Sequence, residues 1–226
     1  GTDVPPACSG LFRGQSLYCR SNHRYGDDEH AGWWREIIDG GYMPINDYQF
    51  LTFNVIGSPY GSSSALTDAD FPQTLTLRDI VRAIEIGIET LGFEHINILI
   101  GGSLGGMQAI ELLYNRKFNV DKAVILAATD KTSSYSRAFN EIARQAIHLD
   151  PKNGMSIARQ LGFLTYRSSK SYDKRFSPDQ VVAYQKHQGD KFMNHFDYAC
   201  YLTLLDVLDS HDVDRGRDDV DEVFSN

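Results

Sequence analysis

One serine in this chain is set among residues that suit covalent chemistry. Ile96-Asn97-Ile98-Leu99-Ile100 is apolar and branched, which predicts a buried strand; the chain then turns through Gly101, Gly102 and Ser103. From Met107 to Tyr114 it carries helix formers, with apolar Met107, Ile110, Leu113 and Tyr114 at three-to-four spacing. A serine on so tight a turn holds its hydroxyl clear of the strand. Gly101 and Gly105 remove side chains that would collide where strand and helix come close. The backbone N–H of Leu104 opens the helix, where a developing oxyanion is stabilised. The chemistry this points to is acyl transfer, with Ser103 as nucleophile and Leu104 N–H as oxyanion donor. A phosphate-binding loop is the competing reading. The run lacks the Lys-Ser/Thr of one phosphate motif and the glycine spacing of the dinucleotide fingerprint.

The elements around the serine support the first reading. Strand, tight turn and helix with Gly-x-Ser-x-Gly at the corner form the nucleophile elbow of the α/β-hydrolase fold. Upstream, Tyr48 to Ile56 alternates and is β-branched, predicting a strand, and Gly57 to Ser64 is a loop by composition. Thr76 is a suitable N-cap for a helix over 77–91 with Ile80, Ile84, Ile88 and Leu91 on one face, and Gly92 ends it. Asp121 to Ala128 is the next strand. Strand, helix, strand, helix, strand with short connections predicts a parallel sheet with the chemistry at the strands' carboxyl ends. From Thr129 the pattern changes: Ser136–Leu149, Met155–Thr165, Pro178–Gln188 and Phe192–Leu208 all read as helices. A helical block in such a series reads as a lid over the site. The expected organisation is therefore a core over 1–130, a lid over 131–212 and a return to the core over 213–226. Leu11 or Phe12, at the end of a short early strand, is the expected source of a second oxyanion N–H.

Composition excludes some other classes. At 226 residues, 42% hydrophobic and 23% charged, the chain is long enough for one domain with a real core. A net charge of −8 argues against nucleic acid or a membrane surface as partner, and no apolar run is long enough for a membrane helix or a leader. Cys8, Cys19 and Cys200 are odd in number and lack metal-ligand spacing, which favours a reducing compartment, the cytoplasm. His23, Asp27, Asp28, Glu29 and His30 crowd one polar stretch. Their spacing matches no metal motif, and a solvated loop is the better reading.

Taken together, the motifs resemble the homoserine O-acetyltransferases, enzymes of methionine biosynthesis with the α/β-hydrolase fold. Gly101 to Ala109 is similar to that family's nucleophile run. Gly32-Trp33-Trp34, Asn54 to Ser64, Phe71-Pro72, Thr76 to Ala83, Arg144 to Ile147, Asp150-Pro151, Leu164 to Ser168, Tyr184 to Phe192 and Ser210 to Arg217 continue the likeness from about residue 8 to the end. The resemblance implies that Ser103 is acetylated by acetyl-CoA, a co-substrate rather than a bound cofactor, and that the hydroxyl of L-homoserine collects the acetyl group. It also implies that Arg159 and Tyr166 face the acceptor, the arginine pairing with its carboxylate, and that lid helices build a homodimer.

The family's aspartate and its histidine in a Gly-His-Asp setting follow the lid, and no matching stretch is present, so no general base is assigned. His148, His187 and His195 fall in lid helices, and His211-Asp212 matches the lid's end. The reading is of an incomplete chain that lacks the family's first strands and its C-terminal part. A serine O-acetyl- or succinyltransferase, an esterase of the same fold, and a non-catalytic fragment are the alternatives.

Overall fold

The computed structural model describes residues 9–12, 48–60, 62–194 and 196–225. The Gly32-Trp33-Trp34 segment, the His23–His30 stretch, Cys8, Cys19 and His195 lie outside them. Four strands form one sheet in the order β2-β1-β3-β4, with β1 Ser9–Phe12, β2 Gln49–Thr52, β3 His95–Gly102 and β4 Asn119–Leu126. β3 and β4 pair in parallel, and the helix α2 (Leu104–Asn115) joins them. β1 lies between β2 and β3 and runs antiparallel to both. β2 therefore points the same way as β3 and β4, as expected, but the sheet as a whole is mixed. A four-residue strand with no periodic pattern of its own gives no sequence signal for its direction.

Helix α1 (Leu77–Thr90) begins as its sequence predicts. Thr76 Oγ1 accepts from the Asp79 N–H and the Asp79 carboxylate accepts from the Thr76 N–H, which closes a capping box. Leu77, Ile80, Val81, Ile84 and Ile88 are buried, and Gly92 leaves the helix at φ +76°. The apolar stripe of helix α2 is not its most buried side. Leu104, Gln108, Ala109, Glu111 and Leu112 are its buried positions, whereas Met107, Ile110, Leu113 and Tyr114 are only partly covered. The reason lies in its first turn. A Cβ on Gly106 would stand 2.6 Å from the Cβ of Ala128 beyond β4, so small residues set which side of α2 meets the sheet.

The helical block expected to form the lid, and called the lid for that expectation, consists of α3 (Ser134–Leu149), α4 (Pro151–Thr165), α5 (Ser169–Arg175), α6 (Pro178–Met193) and α7 (Tyr198–Ser210). Helix α5 lies in a stretch that carried no helical reading, and α7 starts six residues later than expected, behind the Asp197 N-cap. Asp150 ends α3 and caps α4 through the Lys152 and Asn153 N–H groups. The two ends of the lid are paired. Lys131 bridges Asp212, the Thr132 N–H donates to the His211 carbonyl, and the Val213 N–H donates to the Asp130 carbonyl. Beyond them, a short helix α8 (Val220–Ser225) touches α2.

Candidate active site

Ser103 sits between β3 and α2 with φ +53° and ψ −122°, a conformation that L-residues avoid. Two backbone bonds hold it there: its N–H donates 2.8 Å to the Leu126 carbonyl, and its carbonyl accepts from the Met107 N–H at 3.1 Å. The side chain does not cap α2, so the hydroxyl is not spent on the helix. Gly101 explains why the corner can close: a Cβ there would stand 2.1 Å from the Gly105 carbonyl oxygen and 2.8 Å from the Gly106 nitrogen. Leu104 is the first helical residue, with its side chain buried. Its N–H belongs to the opening turn, whose donors have no intrahelical acceptor. The serine and the candidate oxyanion donor thus stand on adjacent positions of one corner.

The donor expected from Leu11 or Phe12 is not brought to this corner. The antiparallel register sets Ser9 against Ile100 and Leu11 against Ile98. Leu11 therefore faces a residue five before Ser103, a separation of roughly 17 Å along the strand, and Phe12 lies farther away. This corrects the expectation, and the cause is strand direction.

The lid places its two candidate residues together. Arg159, on α4, is 3% exposed. The guanidinium lies over the Phe163 ring at 4.5 Å and the Phe192 ring at 4.6 Å, and its Nη1 donates to the Tyr166 hydroxyl at 3.3 Å. Tyr166, 60% exposed, closes the group toward solvent. A guanidinium stacked against aromatic faces presents planar donors of the kind that pair with a carboxylate. Sequence spacing alone could not separate this from a surface arginine on an amphipathic helix. The nearby aromatic positions 163, 166 and 192 were the available signal.

Tyr60 was missed by sequence reasoning. It lies in the loop leaving β2, at the same end of the sheet as the elbow, and its ring packs edge-on to Phe196 at 5.8 Å. Burial pushes its phenol up to about 12, while the Arg159 charge acts in the opposite direction. The loop is tied to itself and to α7: Gly57 N–H donates to the Ser63 carbonyl, and the Thr203 methyl packs at Gly57. Tyr60 thus links the sheet's carboxyl edge to the Arg159 group.

The described histidines are engaged elsewhere or exposed. His211, fully buried, holds the Thr129 carbonyl 2.7 Å from Nε2, and His95 pairs with Asp121 at the far end of β3. Among the described residues no cluster of three metal-ligating side chains occurs, and no helix is long and apolar enough to cross a membrane.

Comparison with known proteins bears on the family and the fold. A family profile described as alpha/beta hydrolase fold matches residues 26–210. The Thermus thermophilus protein named homoserine O-acetyltransferase is 36% identical over 213 residues, covering 85% of this chain and 56% of its own length. A homoserine O-acetyltransferase of Trichlorobacter lovleyi is 32% identical over 257 residues, covering 96% of this chain and 70% of its own. The crystal structure of a Staphylococcus aureus homoserine O-acetyltransferase superposes with a TM-score of 0.85 at 71% identity, over 93% of this chain and 64% of that one. The chain therefore spans little more than half to about two thirds of these proteins. By its elbow, its lid and these matches, the chain belongs to the homoserine O-acetyltransferase family of the α/β-hydrolase fold.

Proposed function

We propose that the protein of which this chain forms the elbow and lid moves an acetyl group from acetyl-CoA to the hydroxyl of L-homoserine through an acetylated Ser103, in the cytoplasm and in the service of methionine biosynthesis. The observation that carries this reading is Arg159. A guanidinium buried in the lid and paired with Tyr166 suits the carboxylate of an amino-acid acceptor. A hydrolase, whose acceptor is water, needs no such group to hold its acceptor.

In the first half-reaction Ser103 Oγ attacks the thioester carbon. The carbon–sulfur bond breaks, and the serine proton leaves with the CoA thiol. In the second, the homoserine hydroxyl attacks the acetyl-serine carbonyl, the ester bond to Oγ breaks, and Ser103 regains a proton. The Leu104 N–H supports the oxyanion in both steps. The base that ferries the proton is not supplied by a described residue in contact with Ser103. An unassisted serine hydroxyl is a weak nucleophile, so activity requires a histidine from outside the described residues. The lid's part is to admit homoserine and keep water from the acyl-enzyme.

CoA release from acetyl-CoA tests the reading. Release that requires homoserine is the expected result; equal release without it means hydrolysis, and release stimulated only by serine or succinyl-CoA means a different acceptor or donor. Arg159→Ala is expected to weaken homoserine use and leave acetylation of Ser103 nearly intact.

The same reading includes a homodimer through the lid. A groove of about 1060 Å³ runs between α3, α4, α5 and α6, lined by Tyr135, Phe139, Leu164, Tyr172, Phe176 and Val181 among others. Tyr135 and Leu164 are 74% and 48% exposed, an apolar surface of the kind that second copies cover. Sedimentation equilibrium is expected to give a dimer that Phe139→Glu dissociates; a monomer at micromolar concentration would remove this part of the proposal.

A further inference from the structure

Tyr201, on α7, has a ring that phenylalanine would replace without loss. It packs edge-on to Phe192 at 5.7 Å and to Phe196 at 6.2 Å, both purely apolar contacts. What phenylalanine would not supply is the hydroxyl, and its position is specific. A Cβ built on Gly162 of α4 would lie 3.6 Å from the Tyr166 hydroxyl oxygen and 3.9 Å from that of Tyr201. The two phenols therefore both come within 4 Å of one point beside α4, and Arg159 Nη1 bonds one of them at 3.3 Å. Phe192 connects the pieces from behind, touching the Tyr201 ring on one side and the Arg159 guanidinium on the other.

We propose that Tyr201 is a third hydrogen-bond donor, beside Arg159 and Tyr166, for the carboxylate of the amino-acid acceptor. This rests on the acceptor site proposed above and adds a specificity-determining residue to it. A carboxylate offers two oxygens with about four acceptor positions, more than one guanidinium nitrogen and one phenol fill. A second phenol on the opposite helix lets α4 and α7 grip the same anion from two sides. Burial raises the Tyr201 phenol above its ordinary value, with Tyr166 and Arg159 as its electrostatic neighbours, so it stays protonated and able to donate. Gly162 fits this arrangement: its side-chain position lies within 4 Å of both hydroxyls.

The test is calorimetric binding of L-homoserine and of L-homoserinol, in which CH2OH replaces the carboxylate, to the chain and to its Arg159→Ala and Tyr201→Phe variants. The expected result is that the parent prefers homoserine and that Arg159→Ala loses the preference. Tyr201→Phe should bind homoserine about tenfold more weakly, as for one lost bond to a charged group, with homoserinol affinity and melting temperature unchanged. If Arg159→Ala loses the preference and Tyr201→Phe binds homoserine like the parent, the role of Tyr201 is overturned and the acceptor site stands. If Tyr201→Phe weakens both ligands equally, Tyr201 is structural and the proposal also fails. If the parent binds neither ligand or shows no preference, or Arg159→Ala leaves the preference intact, the acceptor site itself is wrong and Tyr201 falls with it.

Discussion

Ser103 stores strain for the sake of position. A non-glycine residue at φ +53° and ψ −122° costs on the order of 1–3 kcal/mol, and the bonds to Leu126 and Met107 hold it against that cost. The strain and the hydroxyl can be separated by substitution. Ser103→Ala removes the nucleophile and keeps the strain, whereas Ser103→Gly removes both. Neither variant is expected to be labelled by a serine-directed acylating reagent. Ser103→Gly should be more stable than Ser103→Ala by about 1 kcal/mol in urea unfolding. Equal stabilities would mean that the turn is relaxed, and undiminished labelling would place the reactive serine elsewhere. The serine was legible in the sequence because glycine spacing and the change from strand to helix pattern are local. Tyr60 and Tyr201 were not, because each is marked only by what lies opposite it from another part of the chain.

The elements divide in the same way. Helix α1 was readable to within a residue, since its cap, apolar face and glycine stop all lie inside the element. The place of β1 in the sheet was not, since pairing joins residues as far apart as Ser9 and Ile100 and a four-residue strand has no period to read. The apolar stripe of α2 did not reveal its buried side because glycine and alanine, which a hydrophobic pattern counts for little, decide how α2 meets the sheet. Gly101 carries the clearest consequence. A methyl group there meets the Gly105 carbonyl at 2.1 Å, a backbone atom that cannot swing aside. Gly101→Ala is expected to cost upwards of about 3 kcal/mol, at or beyond the top of the usual range for overpacking. Chemical denaturation measures it; a loss under about 1 kcal/mol would show that α2 shifts freely on β3.

At the scale of the molecule, the segment that leaves the lid is fastened to the helix that follows Ser103. Glu111 of α2, 1% exposed, bonds Arg217 at 2.8 Å and Arg78 of α1 at 3.5 Å. Arg217 also lies over the Tyr114 ring at 3.5 Å, and Arg78 donates to the carbonyls of Asp212, Val213 and Arg215. Breaking a buried ion pair from one side leaves a charge without its partner, at about 3–5 kcal/mol. Arg78 remains beside Glu111, so Arg217→Ala should cost nearer 2–3 kcal/mol, with faster amide exchange over 212–217. An unchanged unfolding midpoint with unchanged exchange would make the contact incidental. The paired ends of the lid lead further. Because residues 130–132 and 211–213 run side by side, the backbone enters and leaves the helical block at one place, while contacts such as Tyr60 with Phe196 and the Leu77 N–H with Ser210 Oγ seat the block on the rest of the chain. Recombination could exchange such a block among relatives that keep the same serine corner. New acceptors could then evolve by substitution of the whole block, with the acyl-carrying step inherited unaltered.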